Sequence, residues 1–243
     1  MLKMKFLLNS VLFSITFNTQ VLAQIKAAKI NYERKTNLEK KYANSEWMSN
    51  YLEEVGKTKI DFFELYYNDT ASAFYPVENE IREDLWWTTE KNTVWQNLKQ
   101  NKIYAKRSIW DEEVFICDSL HFRKWKITDV KRKICGFNCR MALWKADSAH
   151  AFYAWFAPDL ICSTGPESYN GLPGVILGLA KEDGSVTYFA TSVSILNPEK
   201  EKLIHPTKKI KYKSTAELKE EIFKTNGRDK MYKELEVSYF KYW

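Results

Sequence analysis

The chain has 243 residues and a formal net charge of +6, and 45% of its residues are hydrophobic. This length is sufficient for one sizeable core, and no Pro/Gly/Ser-rich linker divides the chain into separate domains. The composition does not favour a nucleic-acid-binding protein, because the positive charges are spread along the sequence except at Lys208, Lys209, Lys211 and Lys213.

The first 23 residues have the pattern of a secretory signal peptide. Lys3 and Lys5 precede an apolar stretch, and Val21 and Ala23 place small residues three and one positions before a cleavage site. Polar residues interrupt the stretch, which is too short for the about 20 apolar residues of a membrane-spanning helix. Cleavage after residue 23 of 243 leaves 220 residues. We expect an exported chain in which residues 24–243 form a single β domain without a transmembrane segment, in the periplasm or secreted.

Short segments of alternating apolar and polar residues dominate the mature part and are typical of β-strands. The predicted strands span residues 28–34, 60–67, 102–107, 113–117, 141–146, 151–157, 175–179, 186–195 and 208–213. Residues 151–157 are apolar on both faces, which predicts a strand that is central and covered on both sides. Asp183 and Gly184 predict a hairpin between two of these strands.

Two short helices are predicted beside the sheet. The first ends near Gly56, and its apolar residues recur every three to four positions at Trp47, Met48, Tyr51, Leu52 and Val55. The second begins at a capping box formed by Ser214 and Glu217 and ends near Lys224. Together these patterns predict an all-β, mainly antiparallel fold. We expect a curved sheet or a barrel-like half-barrel with one or two peripheral short helices.

Four cysteines allow disulfides in an exported chain, but the sequence does not select a pairing. They are Cys117, Cys135, Cys139 and Cys162. Cys135 and Cys139 can pair directly only if residues 136–138 turn, because a straight strand would separate them by about 13 Å. A zinc site is not favoured, since the spacing within CGFNC is three residues and no matching second pair follows. We predict no metal and no cofactor.

Aromatic residues make up 15% of the chain, and nine of them are tryptophans. Most isolated tryptophans are interpreted as core residues, since aromatic side chains fill volume in any barrel or sandwich. Trp86 and Trp87 differ, because adjacent strand residues face opposite sides and one of the pair is then exposed or under a loop. A possible binding surface is therefore assigned to Trp86 and Trp87, together with Tyr153 and Trp155 on the two-sided strand.

The sequence has no recognisable catalytic motif. Asp147, Ser148 and His150 are close enough in sequence for a catalytic dyad, but the same pattern is typical of a hydrogen-bonded turn between strands. We therefore predict that the chain is not an enzyme and assign no catalytic residue.

A glycine-rich motif precedes the strand predicted at 175–179. Pro173 fixes its own φ angle and the flanking glycines allow positive φ, so a sharp turn delivers an apolar strand into the core. The motif consists of Gly171, Leu172, Pro173, Gly174, Val175 and Ile176.

At these residues the chain resembles the GLPGLI family of exported proteins of Gram-negative bacteria. Further landmarks of the resemblance are the segments 125–129, 134–139, 153–158 and 165–166. The resemblance implies export and a β-rich domain but no established activity, cofactor or catalytic residue.

The leading hypothesis is an exported, non-enzymatic binding or accessory protein of the cell envelope. Its partner would be a peptide, a lipid or an outer-membrane protein, bound at an apolar and aromatic concavity. One alternative is a periplasmic hydrolase that uses His150 with Asp147 or Ser148. Another is an integral outer-membrane barrel, suggested by the aromatic C-terminal residues 237–243.

Overall fold

The computed structural model describes residues 24–43, 45–77, 83–109 and 112–226. The predicted signal peptide and residues 237–243 lie outside these ranges. The described part confirms the predicted all-β, mainly antiparallel class, because its named strands form one open sheet of 11 strands. They are β1 (Ala28–Asn37), β2 (Thr58–Tyr67), β3 (Ala71–Val77), β4 (Thr93–Asn97), β5 (Lys102–Ile109), β6 (Glu112–Ser119), β7 (Lys126–Ile134), β8 (Phe137–Lys145), β9 (Ala151–Ala157), β10 (Val175–Lys181) and β11 (Val186–Ser194).

Four α-helices and one 3₁₀ helix accompany the sheet. They are α1 (Leu38–Lys41), α2 (Glu46–Val55), α3 (Lys200–Leu203), α4 (Thr215–Asn226) and the 3₁₀ helix Glu83–Thr88. The α4 helix begins at the predicted capping box, in which the Ser214 backbone N–H donates to Glu217 and the Glu217 N–H donates to the Ser214 hydroxyl. No helix within the described ranges has both the length and the apolar character required to cross a membrane.

The strand order is β6-β5-β4-β3-β2-β1-β11-β10-β9-β8-β7, and every neighbouring pair is antiparallel. Two meanders therefore meet at the pairing of β1 with β11. Laid flat, ten strand spacings of about 4.8 Å would separate the two edges by about 48 Å. The connection from Ser119 to Lys126 spans at most about 25 Å when fully extended. The sheet must therefore curl into a half-barrel that brings β6 and β7 closer together.

The sequence missed three strands and wrongly predicted one. β4 is short and mostly buried, and the three buried residues of β3 are consecutive, so neither strand alternates clearly, whereas β7 is almost entirely exposed at the sheet edge. The prediction of a strand over 208–213 is wrong. Lys209 adopts a φ of 60° in a turn, and only Lys213 forms an isolated bridge, to Ile116. The lysine cluster therefore lies on a loop outside the β6 edge.

A long connection between β9 and β10 fills the concave side of the sheet. This inner loop, residues 158–174, is anchored to the start of the described chain by a parallel bridge between Ile25 and Leu160. It reaches β3 through the Thr164 and Ser72 hydroxyls, whose oxygens are 2.7 Å apart. At β8 and β9 the Tyr169 ring packs against Trp144 and Phe152. The interior is therefore closed by the chain itself.

Candidate functional site

The most exposed aromatic cluster of the described chain lies on a cap over one end of the sheet. Ring contacts join Trp47 and Tyr51 of α2 to Trp87 of the 3₁₀ helix, and we call these rings, together with the adjacent exposed Trp86, the aromatic patch. Trp47 is 65% exposed, Trp86 64% and Trp87 41%. The Trp47 and Tyr51 rings stack with centroids 5.6 Å apart, and the Trp87 centroid lies 6.3 Å from each. Because the Trp47, Tyr51 and Trp87 rings contact one another, they form a continuous surface and enclose no cage.

The α2 helix presents these rings because its opposite face is buried. Its N-cap is Ser45, whose hydroxyl accepts the Met48 N–H, and it ends at Gly56 with a φ of 102°. Met48 and Leu52 pack with Leu38 and Leu85 in a small core separate from the main one. In a 3.6-residue period, Trp47 points about a quarter turn or more away from that buried pair, whereas Tyr51 lies about 60° from Met48 and is partly buried against the same small core. Sequence analysis assigned all five apolar residues of α2 to one packing face and so missed the exposure of Trp47.

Buried charges fix the 3₁₀ helix from below. The Lys59 ammonium donates to the carbonyl oxygens of Leu85 at 2.8 Å and Trp86 at 3.2 Å. Burial lowers the pKa of Lys59, opposed in part by the Asp61 carboxylate 3.6 Å away. Two further donors hold the end of the same helix, since the Lys41 ammonium and the Tyr42 hydroxyl both donate to the Thr88 carbonyl. These contacts make the patch a preorganised surface.

The anchoring lysine belongs to an ion network across β1, β2 and the inner loop. Arg34 donates twice to one oxygen of Asp61, at 2.7 and 3.2 Å, and Thr89 donates to the same oxygen. Burial opposes ionisation of Asp61, but the Arg34 guanidinium outweighs it and keeps the pKa of Asp61 below its ordinary value. Glu167 lies 3.7 Å from Arg34 and accepts a hydrogen bond from Tyr188. Burial raises the pKa of Glu167 despite these contacts.

The predicted residues Tyr153 and Trp155 lie elsewhere, on the convex face of β9. The Tyr153 hydroxyl donates to Glu182. The Trp155 ring packs on Phe189 with centroids 5.6 Å apart, and the Arg132 guanidinium lies 4.7 Å from the Phe189 centroid and 5.6 Å from that of Trp155. The four residues predicted as one binding surface therefore fall into two separate groups, Trp86 with Trp87 and Tyr153 with Trp155. In the second group, Arg132 lies over the Trp155 ring.

The glycine-rich motif seats the inner loop. Gly171 has a φ of 95°, and a Cβ atom there would lie 2.8 Å from the Arg123 carbonyl oxygen. Gly174 has a φ of 147°, and its Cβ would lie 2.3 Å from the Ala157 carbonyl oxygen. Leu172, Val175 and Ile176 are buried, whereas Pro173 is exposed. The motif thus turns the chain against its own backbone, and these glycines contact protein rather than a ligand.

Little space remains between the inner loop and the sheet near β5. One small cavity of about 10 Å³ has room for about one water molecule and is lined by Ile103, Ser119, His121, Arg123, Ser168 and Asn170. Arg123 donates to the Ser168 carbonyl oxygen and hydroxyl, and its guanidinium lies 4.3 Å from the Tyr169 centroid. Burial lowers the pKa of Arg123 to about 10. This cavity is too small for a lipid or a peptide.

All four cysteines are free thiols. Cys117 lies on β6, Cys139 on β8 and Cys162 in the inner loop. Cys135 and Gly136 form the turn between β7 and β8, with φ values of 48° and 87°. Direct pairing of Cys135 with Cys139 required a turn over residues 136–138. The turn instead lies at residues 135–136, and residues 137–139 belong to β8. Burial raises the pKa of Cys139 and of Cys162 to about 12.

Asp147, Ser148 and His150 form the connection from β8 to β9. The His150 ring nitrogen Nδ1 lies 2.8 Å from one Asp147 oxygen, which also accepts the Ala149 N–H. The backbone of His150 closes the turn by accepting from Ala146. No hydrogen bond within the described residues joins Ser148 to His150. The described residues also contain no group of three or more His, Cys, Asp or Glu side chains that could hold a metal ion.

Comparisons with known proteins support the fold more strongly than any function. Residues 145–178, which include β9, the inner loop and the start of β10, match a family described as "Protein of unknown function (Porph_ging)". No curated protein matches the chain.

The solved structure of PNGF-II is similar in two crystal forms, with TM-scores of 0.55 and 0.53 and 19% and 18% sequence identity. The similarity covers 82% of this chain, which spans about a third of PNGF-II, 33% in one form and 34% in the other. The MucA/MucB complex of Pseudomonas aeruginosa has a TM-score of 0.40 and 8% identity, over 76% of this chain and 57% of that one. At this TM-score the likeness supports no argument, and the PNGF-II likeness concerns the fold alone.

Proposed function

We propose that the chain is an exported, non-enzymatic binding or accessory protein of the cell envelope that engages a protein partner through its outer surface. The observation that supports this most directly is the contrast between a concave side closed by the inner loop and three exposed tryptophans on a rigid cap. A carrier of lipid or peptide would need a pocket of about 300 Å³ or more. The inner loop occupies that position here, which favours contact at the exterior.

The patch has the composition of a protein-binding surface. Tryptophan and tyrosine dominate the binding energy of many interfaces, because they bury large area at little entropic cost. Covering an exposed tryptophan ring removes a large apolar surface from water, which favours association. Because Lys41, Tyr42 and Lys59 already hold the 3₁₀ helix in place, a partner loses little of this free energy to ordering it.

Site-specific photo-crosslinking in cells of the source organism tests the proposal. A photoreactive phenylalanine analogue replaces Trp86, and the control places it at Phe122, which is 55% exposed on the connection from β6 to β7. We expect a protein adduct at position 86 that is lost when Trp47 and Trp87 are changed to Ala, and none at position 122. Adducts only to lipid, or equal adducts at both positions, would contradict the proposal.

A further inference from the structure

Three aromatic clusters of the described chain have a cation over their rings, and the aromatic patch has none. Arg132 lies over Trp155 and Phe189, Arg123 over Trp144 and Tyr169, and Lys202 over Tyr66 and Tyr75, with cation-to-centroid distances between 4.3 and 6.0 Å. Over the patch rings, by contrast, no Lys or Arg side chain of the described residues is found. Cations bind preferentially to the faces of tryptophan and tyrosine rings, so these rings remain able to accept one.

Carboxylates lie on the same helix as two of these rings. The α2 sequence EWMSNYLEEV contains Glu46, Glu53 and Glu54 and no lysine or arginine, although the whole chain is basic. All three side chains are exposed, and within the described ranges none forms an ion pair or hydrogen bond. Lys57 pairs with Glu39 and also interacts with Glu53, while Lys41 and Lys59 lie beneath the 3₁₀ helix. The exposed side chains of α2 therefore carry negative charge on a basic protein.

The helix geometry aligns one carboxylate with the rings. Trp47, Tyr51 and Glu54 follow at spacings of four and three residues, which places them in a single row on α2. Seven residues of helix span about 10 Å, so the row offers apolar contact at one end and negative charge at the other. A short segment that combines an apolar side chain with a basic one matches this row.

Resting on the proposed function, we infer that the partner presents a basic and apolar segment, with an arginine or lysine placed over the Trp47–Tyr51–Trp87 rings and beside Glu54. The rings supply most of the contact area, and the carboxylates select for positive charge. A neutral sugar could stack on the same rings but would gain nothing from the carboxylates of α2. An anionic lipid headgroup would be repelled by them, so the charge distribution favours the basic segment over both.

Titration of the mature chain with three synthetic peptides tests this inference. One peptide alternates Arg with Phe, one alternates Glu with Phe and one alternates Arg with Ala. We expect the Arg/Phe peptide to bind at least about tenfold more tightly than the other two, and its affinity to fall as salt is added. Equal affinity for the Arg/Phe and Glu/Phe peptides would overturn the inference.

Matched variants separate this inference from the proposed function. Changing Glu46, Glu53 and Glu54 together to Gln should weaken Arg/Phe binding about tenfold, since each exposed charge contributes modestly. The control changes Glu112, Glu199 and Glu201 to Gln, which alters the net charge equally and should leave binding unchanged. If the crosslink at position 86 persists but neither triple variant affects binding, the basic partner is wrong while the binding surface stands. If the double change of Trp47 and Trp87 to Ala leaves both assays unchanged, the proposed function fails as well.

Other occupants of the patch give different outcomes in the same assays. Binding of a neutral oligosaccharide or of phosphatidylglycerol vesicles that depends on Trp47 would overturn the basic segment. Self-association of the mature chain that disappears on changing Trp47 to Ala would identify a second copy as the partner and would also overturn it.

Discussion

The Trp155–Phe189 cluster and the aromatic patch both consist of aromatic side chains, but they differ in what covers their rings. In the first, Arg132 from the neighbouring edge of the sheet lies over both rings, and Gly178 leaves room beneath them, since a Cβ there would lie 2.7 Å from the Phe189 ring. In the second, the Trp47, Tyr51 and Trp87 rings contact one another, Tyr51 also packs against the small core, and the tryptophan rings are exposed. The difference indicates that aromatic content alone does not identify a binding surface in this fold. What distinguishes the patch is that its rings are exposed and uncovered while the backbone that carries them is rigidly held.

The largest expected effect comes from the support beneath the patch. Changing Asp61 to Asn leaves Arg34 and Lys59 buried without their shared carboxylate, and breaking such a pair costs about 3 to 5 kcal/mol. We expect a loss of that size in the free energy of unfolding from urea titration. The control variant, Glu39→Gln, removes the exposed partner of Lys57 and should leave the unfolding midpoint unchanged. An equal effect of the two variants would show that the buried network does not support the cap.

A smaller effect should separate the two aromatic clusters directly. Trp155 is half-buried against Phe189, so changing it to Ala should lower the free energy of unfolding by about 2 kcal/mol, less than the about 3 to 5 kcal/mol of a fully buried ring. Trp47 is 65% exposed, and the same change there should cost about 0.5 kcal/mol or less. Equilibrium unfolding of the two variants in parallel gives the comparison. The reverse order would mean that Trp47 is a structural residue.

The smallest expected effect concerns the pH dependence of stability. Because burial raises the pKa of Glu167 above its ordinary value of 4.5, the folded chain binds more protons at this residue than the unfolded chain does. The contribution of Glu167 to stability therefore falls as pH rises above 4.5 and through the raised pKa. The Glu167→Gln variant should lose this slope in unfolding measurements at a series of pH values. A slope identical to that of the unchanged chain would contradict the assignment.

Alternation along the sequence was sufficient to predict much of the sheet. β9 was predicted with its observed bounds, and β1, β2 and β10 within a few residues at each end. β1 and β2 alternate buried and more exposed residues, whereas β9 and β10 are continuous apolar runs. The edge strand β7 was missed because it has almost no buried residues, so its sequence lacks the alternation of apolar and polar residues that indicates a strand. Its ladder with β8 also shifts register between Ile127 and Lys131, which removes the two-residue period that would have indicated a strand.

The candidate site was predicted only in part, because its residues come from segments that are far apart in the sequence. Trp86 and Trp87 were identified as unusual because they are adjacent. Trp47 was interpreted as packing, since helical periodicity does not show which apolar residue a neighbouring segment will cover. The ion network joins Arg34 to Asp61, 27 positions away, and to Glu167, 133 positions away, and no local pattern connects them. One signal was present, because Arg34 continues the inward row of Ile30 and Tyr32, where a charged side chain requires a partner.

The most direct test of the central claim is a spectrum of the mature chain with isotope-labelled tryptophan, recorded as the Arg/Phe peptide is added. The account predicts that the indole N–H signals of Trp47, Trp86 and Trp87 move, while those of Trp144 and Trp155 stay in place. Movement of the Trp144 signal, which reports on the interior near the inner loop, with no change at Trp47 and Trp87 would contradict it.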